Sequence, residues 1–347
     1  MAKADARVAP FEIGSEQIAS GTARTVQLPL GLMSDHTPVN MPVHVIHGRK
    51  PGPVLFVCAA LHGDEILGVE IIRRLVEKIA VTRVSGTLLL IPIVNSYGFH
   101  AGTRYLPDRR DLNRSFPGSP RGSLAGQLAH VFLNEIVARA DFGIDLHTAA
   151  IHRENLPQIR ANLETEGVPE LAEVFGAPVV LDAALRDGSL RDAARKFDVP
   201  ILVYEAGEAL RFDEFGVRIG VKGVIRVMQH LKMLSGKISK STRKPVRLRG
   251  SQWVRTPSGG LMRMLKGMGD AAEEGEGLVD GSGSDRSMPM TAKSGDQLSA
   301  DPEDTLSDED TQPEAEAAAA PTEEAQPEAE AALAPTEETQ PEAEAAP

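Results

Sequence analysis

Polar and apolar residues first alternate along this chain. "TARTVQLPLG" and "MPVHVIHG" place apolar side chains at every second position, and "GRKPGP" then supplies turn chemistry. The pattern changes to continuous apolar runs in "VLFVCAAL" (54–61) and "GTLLLIPIVN" (86–95), as expected of strands covered on both faces. "FGIDLHT" (142–148), "PVVLD" (178–182) and "VPILVYEAGE" (199–208) read as further strands. Between them the period becomes helical. "GVEIIRRLVEKIA" (68–80) sets Val69, Ile72, Leu75, Val76 and Ile79 on one side. "GSLAGQLAHVFLNEIVARA", "SLRDAARKFD" and "EFGVRIGVKGVIRVMQHLKML" are the other helices. Strands alternating with helices predict an α/β domain around a mixed or largely parallel sheet, with ligands at the carboxyl ends of its strands.

The character changes after Lys240. Residues 1–240 form the expected catalytic domain, and 241–280 a partial β region with "GMGD" and "EEGEG" as turns. Residues 281–347 form an acidic tail rich in Pro, Glu and Ala. Within it "QPEAEAAAAPTEEA" recurs with small changes, and a segment so poor in large apolar residues cannot bury a core and is expected to be disordered. Charge follows the same division. The net charge of −12 combines 23 acidic and 2 basic residues from Asp270 onward with a mildly basic body. A basic body suits an anionic substrate, and the tail could dock a basic partner.

The single cysteine, Cys58, rules out an intrachain disulfide and reads as a buried residue, not a nucleophile. The first residues lack the apolar core of a signal peptide, and no stretch is apolar and long enough to span a bilayer, so a cytoplasmic location is expected.

Chemistry concentrates where strands end. "LHGDEILG" (61–68) carries His62 and Glu65 at the junction of a buried strand and a helix. Asp64 could cap that helix and nothing more. Alternatively His62 and Glu65 could converge on one ion, given a third ligand. His147 ends the strand "FGIDLHT", and Glu205 ends "PILVY". Hydrolytic zinc takes three protein ligands and leaves a position for water. An acid beside such a water would serve as general base; Glu205 suits that place, with Glu208 three residues further along. Between these motifs "TRYLPDRRDLNRSFPGS" (103–119) offers Arg114 and Asn113 for a carboxylate and Arg104 for an oxyanion, with Asp111 holding the loop.

"HGDE", "DLNRSFPG", "DLHT" and "YEAG", in this order, resemble the succinylglutamate desuccinylase and aspartoacylase family, relatives of the zinc carboxypeptidases; the resemblance covers about residues 40 to 235. It implies a zinc-carboxypeptidase-like mixed sheet flanked by helices. It also implies one Zn2+ per chain on His62, Glu65 and His147, Glu205 as base, and Arg104 polarising the scissile carbonyl. Asn113 and Arg114 would grip the substrate carboxylate, joined by Arg191 or Arg195. The expected partner is a small anionic N-acyl amino acid, such as N-succinylglutamate or an N-acetylaspartate-like compound, with no nucleic acid and no membrane. The chain departs from the family at its C-terminal side, where "RTPSGGLMRMLKGMGDAAEEGEGL" resembles only the start of the family's β domain. Two rivals accompany the reading: a zinc carboxypeptidase acting on peptides or glutamate-rich tails, and an inactive metal-binding protein that recruits a partner through its tail.

Overall fold

The computed structural model describes residues 8–238, 244–251, 260–273, 276–282 and 290–291. The chain opens with a small hairpin of β1 (Phe11–Ile13) and β2 (Glu16–Ile18). β3 (Thr22–Leu32), β4 (Pro38–His47) and β5 (Lys50–Ala59) follow, then α1 (Leu67–Lys78), β6 (Ser85–Ile91) and the short α2 (Ser96–Ala101). Next come α3 (Leu124–Glu135), β7 (Phe142–Ala149), β8 (Asn155–Ala161), α4 (Val168–Phe175), β9 (Val179–Asp182), α5 (Leu190–Ala194), β10 (Ile201–Glu208) and α6 (Glu214–His230). β11 (Val246–Leu248) returns to the main sheet, while β12 (Leu261–Met264), β13 (Gly277–Ser282) and β14 (Met290–Thr291) form a separate three-stranded antiparallel sheet.

The main sheet has nine strands in the order β11-β9-β8-β10-β7-β5-β6-β4-β3. Its centre, β10-β7-β5-β6, is parallel, and β4 and β3 add to it antiparallel. On the other side β8 runs antiparallel to β10, and β9 and β11 then run parallel to β8. Helices cover both faces. α1, α4 and α6 pack on one through Leu67, Ile71, Leu75, Phe175, Val221 and Val224. α3, α5 and the β1–β2 hairpin pack on the other through Phe132, Leu128, Leu190, Ile13 and Ile18. The result is the mixed α/β architecture, one sheet flanked by helices, that the sequence predicts.

The structure corrects several details. In α1 the buried line is Leu67, Gly68, Ile71, Ile72 and Leu75, and Val76, expected inside, is 36% exposed. The cause is close approach at Gly68, where a Cβ would lie 2.6 Å from that of Ala59 and 2.7 Å from that of Leu146. That contact selects which line of the helix faces the sheet. Residues 149–177, for which the apolar pattern gives no element, contain β8 and α4. Beyond residue 240, β11 pairs with β9 of the main sheet, and β13 and β14 belong to the small separate sheet. The acidic repeats lie outside the described residues. Among the described residues no helix is long and apolar enough to cross a membrane.

Candidate metal centre and active site

β5 ends at Ala59, and Ala60 turns the chain with φ +49°, a conformation that costs a non-glycine residue energy and needs support from its surroundings. Support comes from Asn95, whose backbone N–H donates to the Ala60 carbonyl at 2.9 Å. Gly63 lies against α2 so tightly that a Cβ would be 2.0 Å from the Gly98 carbonyl carbon. The turn is thus pressed into a fixed shape, with His62 and Glu65 both buried.

β7 lies beside β5 in parallel and delivers His147 to the same place. One Glu65 oxygen is 2.7 Å from His62 Nδ1, and the other is 2.6 Å from His147 Nδ1. The two imidazole centroids are 5.1 Å apart. A ligand atom from each of the three residues lies within 4.8 Å of the others, the only such grouping of three or more among the described residues. The outer nitrogens are also engaged: His62 Nε2 donates to Asp111 Oδ1 at 3.1 Å and His147 Nε2 to Asp145 Oδ2 at 2.7 Å. In the neutral rings this fixes the tautomer and leaves each Nδ1 lone pair facing inward. Two such nitrogens and a carboxylate are a donor set that fits a zinc-like divalent ion.

The electrostatics reflect this crowding. Burial lowers the affinity of His147 for a proton, but Asp145 and Glu65 outweigh it and hold the imidazole well above its ordinary pKa. For His62, burial and then Arg104 act downward, and Glu65 and Asp111 still bring the net shift upward. Glu65 and Asp111 are both held below the usual carboxylate range: burial opposes ionisation, and His62 leads the charges that overcome it. Asp64 does not cap α1, whose N-cap is Ile66. Its carboxylate is buried, Oδ1 has no hydrogen-bond partner among the described residues, and burial pushes its pKa up. Cys58 is buried and donates its thiol to Asp145 Oδ1 at 3.2 Å; burial first and Asp145 second push its pKa well up, as befits an unreactive thiol.

The 103–119 loop folds over the cluster. Arg104 reaches Glu65 Oε1 at 3.2 Å and Asp111 Oδ2 at 3.0 Å, so it stands directly beside the three potential ligands. Asp111 binds His62, Arg104 and the Asn113 backbone N–H at once, and therefore does more than hold its loop. Asn113 Oδ1 accepts from the Leu190 N–H at the start of α5, which ties the loop to the segment carrying Arg191. Arg114 is exposed and donates to the Asn113 carbonyl. Arg191 donates to the carbonyls of Ala183 and Ala184, and its charge is felt by Glu205 and Asp145; burial and then Arg160 push its pKa down. Arg195 instead stands 71% exposed in an ion pair with Asp192.

Glu205 sits on β10 in register with His147 on β7, one strand away. Glu208, past an irregularity in β10, is occupied by the His152 N–H and by Arg211. Three residues near Glu205 escaped the sequence reading: Asn155, Gln158 and Arg160, all on β8 and all within reach of the Glu205 carboxylate. Asp145 was visible as the residue two before His147; period-two alternation puts both on one face, which is the signal for its partnership.

A buried His-Glu-His cluster that could hold a metal ion stands at parallel strand ends of a mixed sheet flanked by helices, the zinc-carboxypeptidase-like fold. Residues 51–231 match the model of the succinylglutamate desuccinylase/aspartoacylase catalytic domain, and the chain belongs to that family. It is 26% identical over 249 residues to an N-alpha-acetyl-L-2,4-diaminobutyric acid deacetylase of Halomonas elongata, covering 69% of this chain and 72% of that one. It is 33% identical over 137 residues to a succinylglutamate desuccinylase of Burkholderia lata, covering 35% of this chain and 37% of that one. Among solved structures, a succinylglutamate desuccinylase/aspartoacylase of Rhodobacter sphaeroides aligns with TM-score 0.70 at 25% identity, covering 78% of this chain and 87% of that one. The product-bound ectoine utilization protein EutE of Ruegeria pomeroyi shares the fold with TM-score 0.70 at 24% identity, over 78% and 87% of the two chains.

Proposed function

We propose that this protein is a zinc-dependent amidohydrolase that cleaves an N-acyl amino acid to a carboxylate and a free amino acid. The observation that carries this reading is the register of His147 and Glu205 on neighbouring strands, which sets a carboxylate beside the His62–Glu65–His147 donor set. One ion per chain on those three residues would supply a Lewis acid and a water with pKa lowered to about 7.

Glu205 takes a proton from the attacking water and later delivers it to the leaving amine, which otherwise could not depart. Arg104 stabilises negative charge on the scissile carbonyl oxygen, a role its hydrogen bond to Glu65 supports. Asn113, Arg114 and Arg191 receive the substrate carboxylate, Arg114 through its guanidinium fork, and so orient the amide. Of the two arginines left open by the sequence, burial and its coupling to Glu205 favour Arg191 over the exposed Arg195. The same comparison favours Glu205 over Glu208 as base, because Glu208 is tied to a loop. The substrate class follows from the relatives, one named for an N-acetyl and one for an N-succinyl amino acid.

The test joins metal content to turnover. The purified protein should hold about one zinc per chain, lost in His147→Ala. It should hydrolyse at least one member of a panel containing N-acetyl-L-2,4-diaminobutyrate, N-succinylglutamate and N-acetylaspartate. Release of C-terminal residues from peptides, with no turnover of the panel, would replace the deacylase by a carboxypeptidase.

A further inference from the structure

The neighbour of Glu205 on its other side is β8, and there the strand is irregular. Gln158 pairs with Glu205, but Asn155, three residues earlier, pairs with Gly207, only two residues on. One extra residue is therefore inserted in β8 at Leu156–Pro157, a β-bulge. Without it, Asn155 and Gln158 would point to opposite faces, since side chains alternate. With it, both amides reach the same oxygen: Asn155 Nδ2 donates to Glu205 Oε2 at 2.7 Å and Gln158 Nε2 at 3.3 Å. Gly207, opposite Asn155, has a φ of +69°, which suits glycine. Arg160, two residues past Gln158 on the same face, stands 3.5 Å from the other oxygen, Oε1. The remaining residues of the strand, Ile159 and Ala161, are buried in the opposite core and anchor it.

We infer that the β8 bulge exists to aim Glu205, and that Asn155, seconded by Gln158, is the positioning residue of the general base. The inference rests on the reading of Glu205 as base. Two donors converging on one oxygen fix both the plane of the carboxylate and its distance from the His147 side. A freely rotating glutamate would spend most of its time out of line with the water, and misplacement on the scale of an ångström costs roughly a hundredfold in rate. Asn155 and Gln158 need not touch substrate, so substrate affinity should not depend on them.

The experiment is a double-variant cycle on the zinc-loaded full chain, with the best N-acyl amino acid of the panel. Asn155→Asp keeps the side chain's shape and loses the donor; Asn155→Ala removes the side chain. Both should lower kcat by about 10- to 100-fold. KM should stay within about twofold and zinc content should be unchanged, as expected of a loss confined to the transition state. Gln158→Ala should lower kcat less, because its bond is longer. In an E205Q background, followed at high enzyme concentration, Asn155→Ala should cause no further loss. An equal further loss there would mean that Asn155 serves the fold or the substrate, which overturns the proposal. So would wild-type kcat in Asn155→Ala alongside a disabled Glu205→Gln. Near-normal turnover in Glu205→Gln itself would instead remove the base, and with it the reason to aim it.

Discussion

The two halves of the candidate site are built by opposite means. In the His62–Glu65–His147 half the strands are parallel, the side chains are almost fully buried, and the outer imidazole nitrogens donate to acceptors, Asp111 and Asp145. In the Glu205 half the partner strand β8 is antiparallel, the carboxylate is 15% exposed, and the surrounding groups are donors: two amides and a guanidinium. Each environment matches its proposed task. Imidazoles that bind an ion need their far nitrogens held, which only acceptors can do. A carboxylate that moves protons needs to be aimed while keeping access to water, which donors on one oxygen accomplish.

The sharpest way to break this comparison is Glu205→Gln. If the halves are separable, kcat should fall by about 10²- to 10⁴-fold while zinc content stays at the wild-type level. Loss of the metal in this variant would show that the halves are one structure. Within the metal half, Asp145→Asn and Asp111→Asn should differ. Removing the acceptor behind a metal-bound histidine weakens binding by about 10- to 100-fold. Asp145 should sit near the upper end, because it is 1% exposed and His147 and Cys58 both bond it in a fixed position. Asp111, on a loop and 14% exposed, should sit near the lower end. Competition with a chelator measures both, and a larger effect at Asp111 would reverse the ranking of strand over loop.

Arg114→Ala sharpens the boundary of the Glu205 half on the substrate side. A lost hydrogen bond to a charged group should raise KM about tenfold for substrates with a free α-carboxylate and leave kcat within a few-fold. An equal rise for the corresponding amide would remove Arg114 from the carboxylate clamp.

The two halves also differed in how far the sequence exposed them. His62, Glu65 and His147 stand at or just past the ends of apolar runs, so strand-end position and residue type together pointed to them. Glu205 was legible for the same reason. β8 was not: "NLPQIRA" contains a proline, an amide pair and an arginine where a buried strand normally carries branched apolar residues. Pro157 is tolerated because it falls in the bulge, before the pairing with β9 begins at Gln158. The bulge shifts alternation by one residue, so even a correct strand assignment would have sent Asn155 to the wrong face. The helix face of α1 failed for a different reason: periodicity gives two adjacent apolar lines, and only the contact of Gly68 with Ala59 and Leu146 selects between them. That choice is made in three dimensions.

The smallest expected effect lies in that same helix, which leads away from the Glu65 turn. Glu70 accepts from Arg73 at 2.6 Å and from Arg74 at 2.6 Å, and Arg74 continues to Glu214 at the head of α6 at 2.7 Å. The hydrogen bond from Arg73, helped by Arg74 against partial burial, holds the Glu70 pKa down to about 2 from 4.5. A carboxylate with a depressed folded pKa contributes stability that is complete above its unfolded value, near 4.5, and is lost as pH falls through about 2. Arg74→Ala should therefore cost about 0.5–1 kcal/mol in urea unfolding at pH 7, the range of a surface network. The cost should shrink when the same pair of proteins is compared near pH 3, and shrink again in high salt. A cost independent of both would assign Arg74 to packing of its methylene stem between α1 and α6. Metal content and kcat should be untouched at neutral pH, because the clamp joins the two helices behind the sheet and reaches neither half of the site.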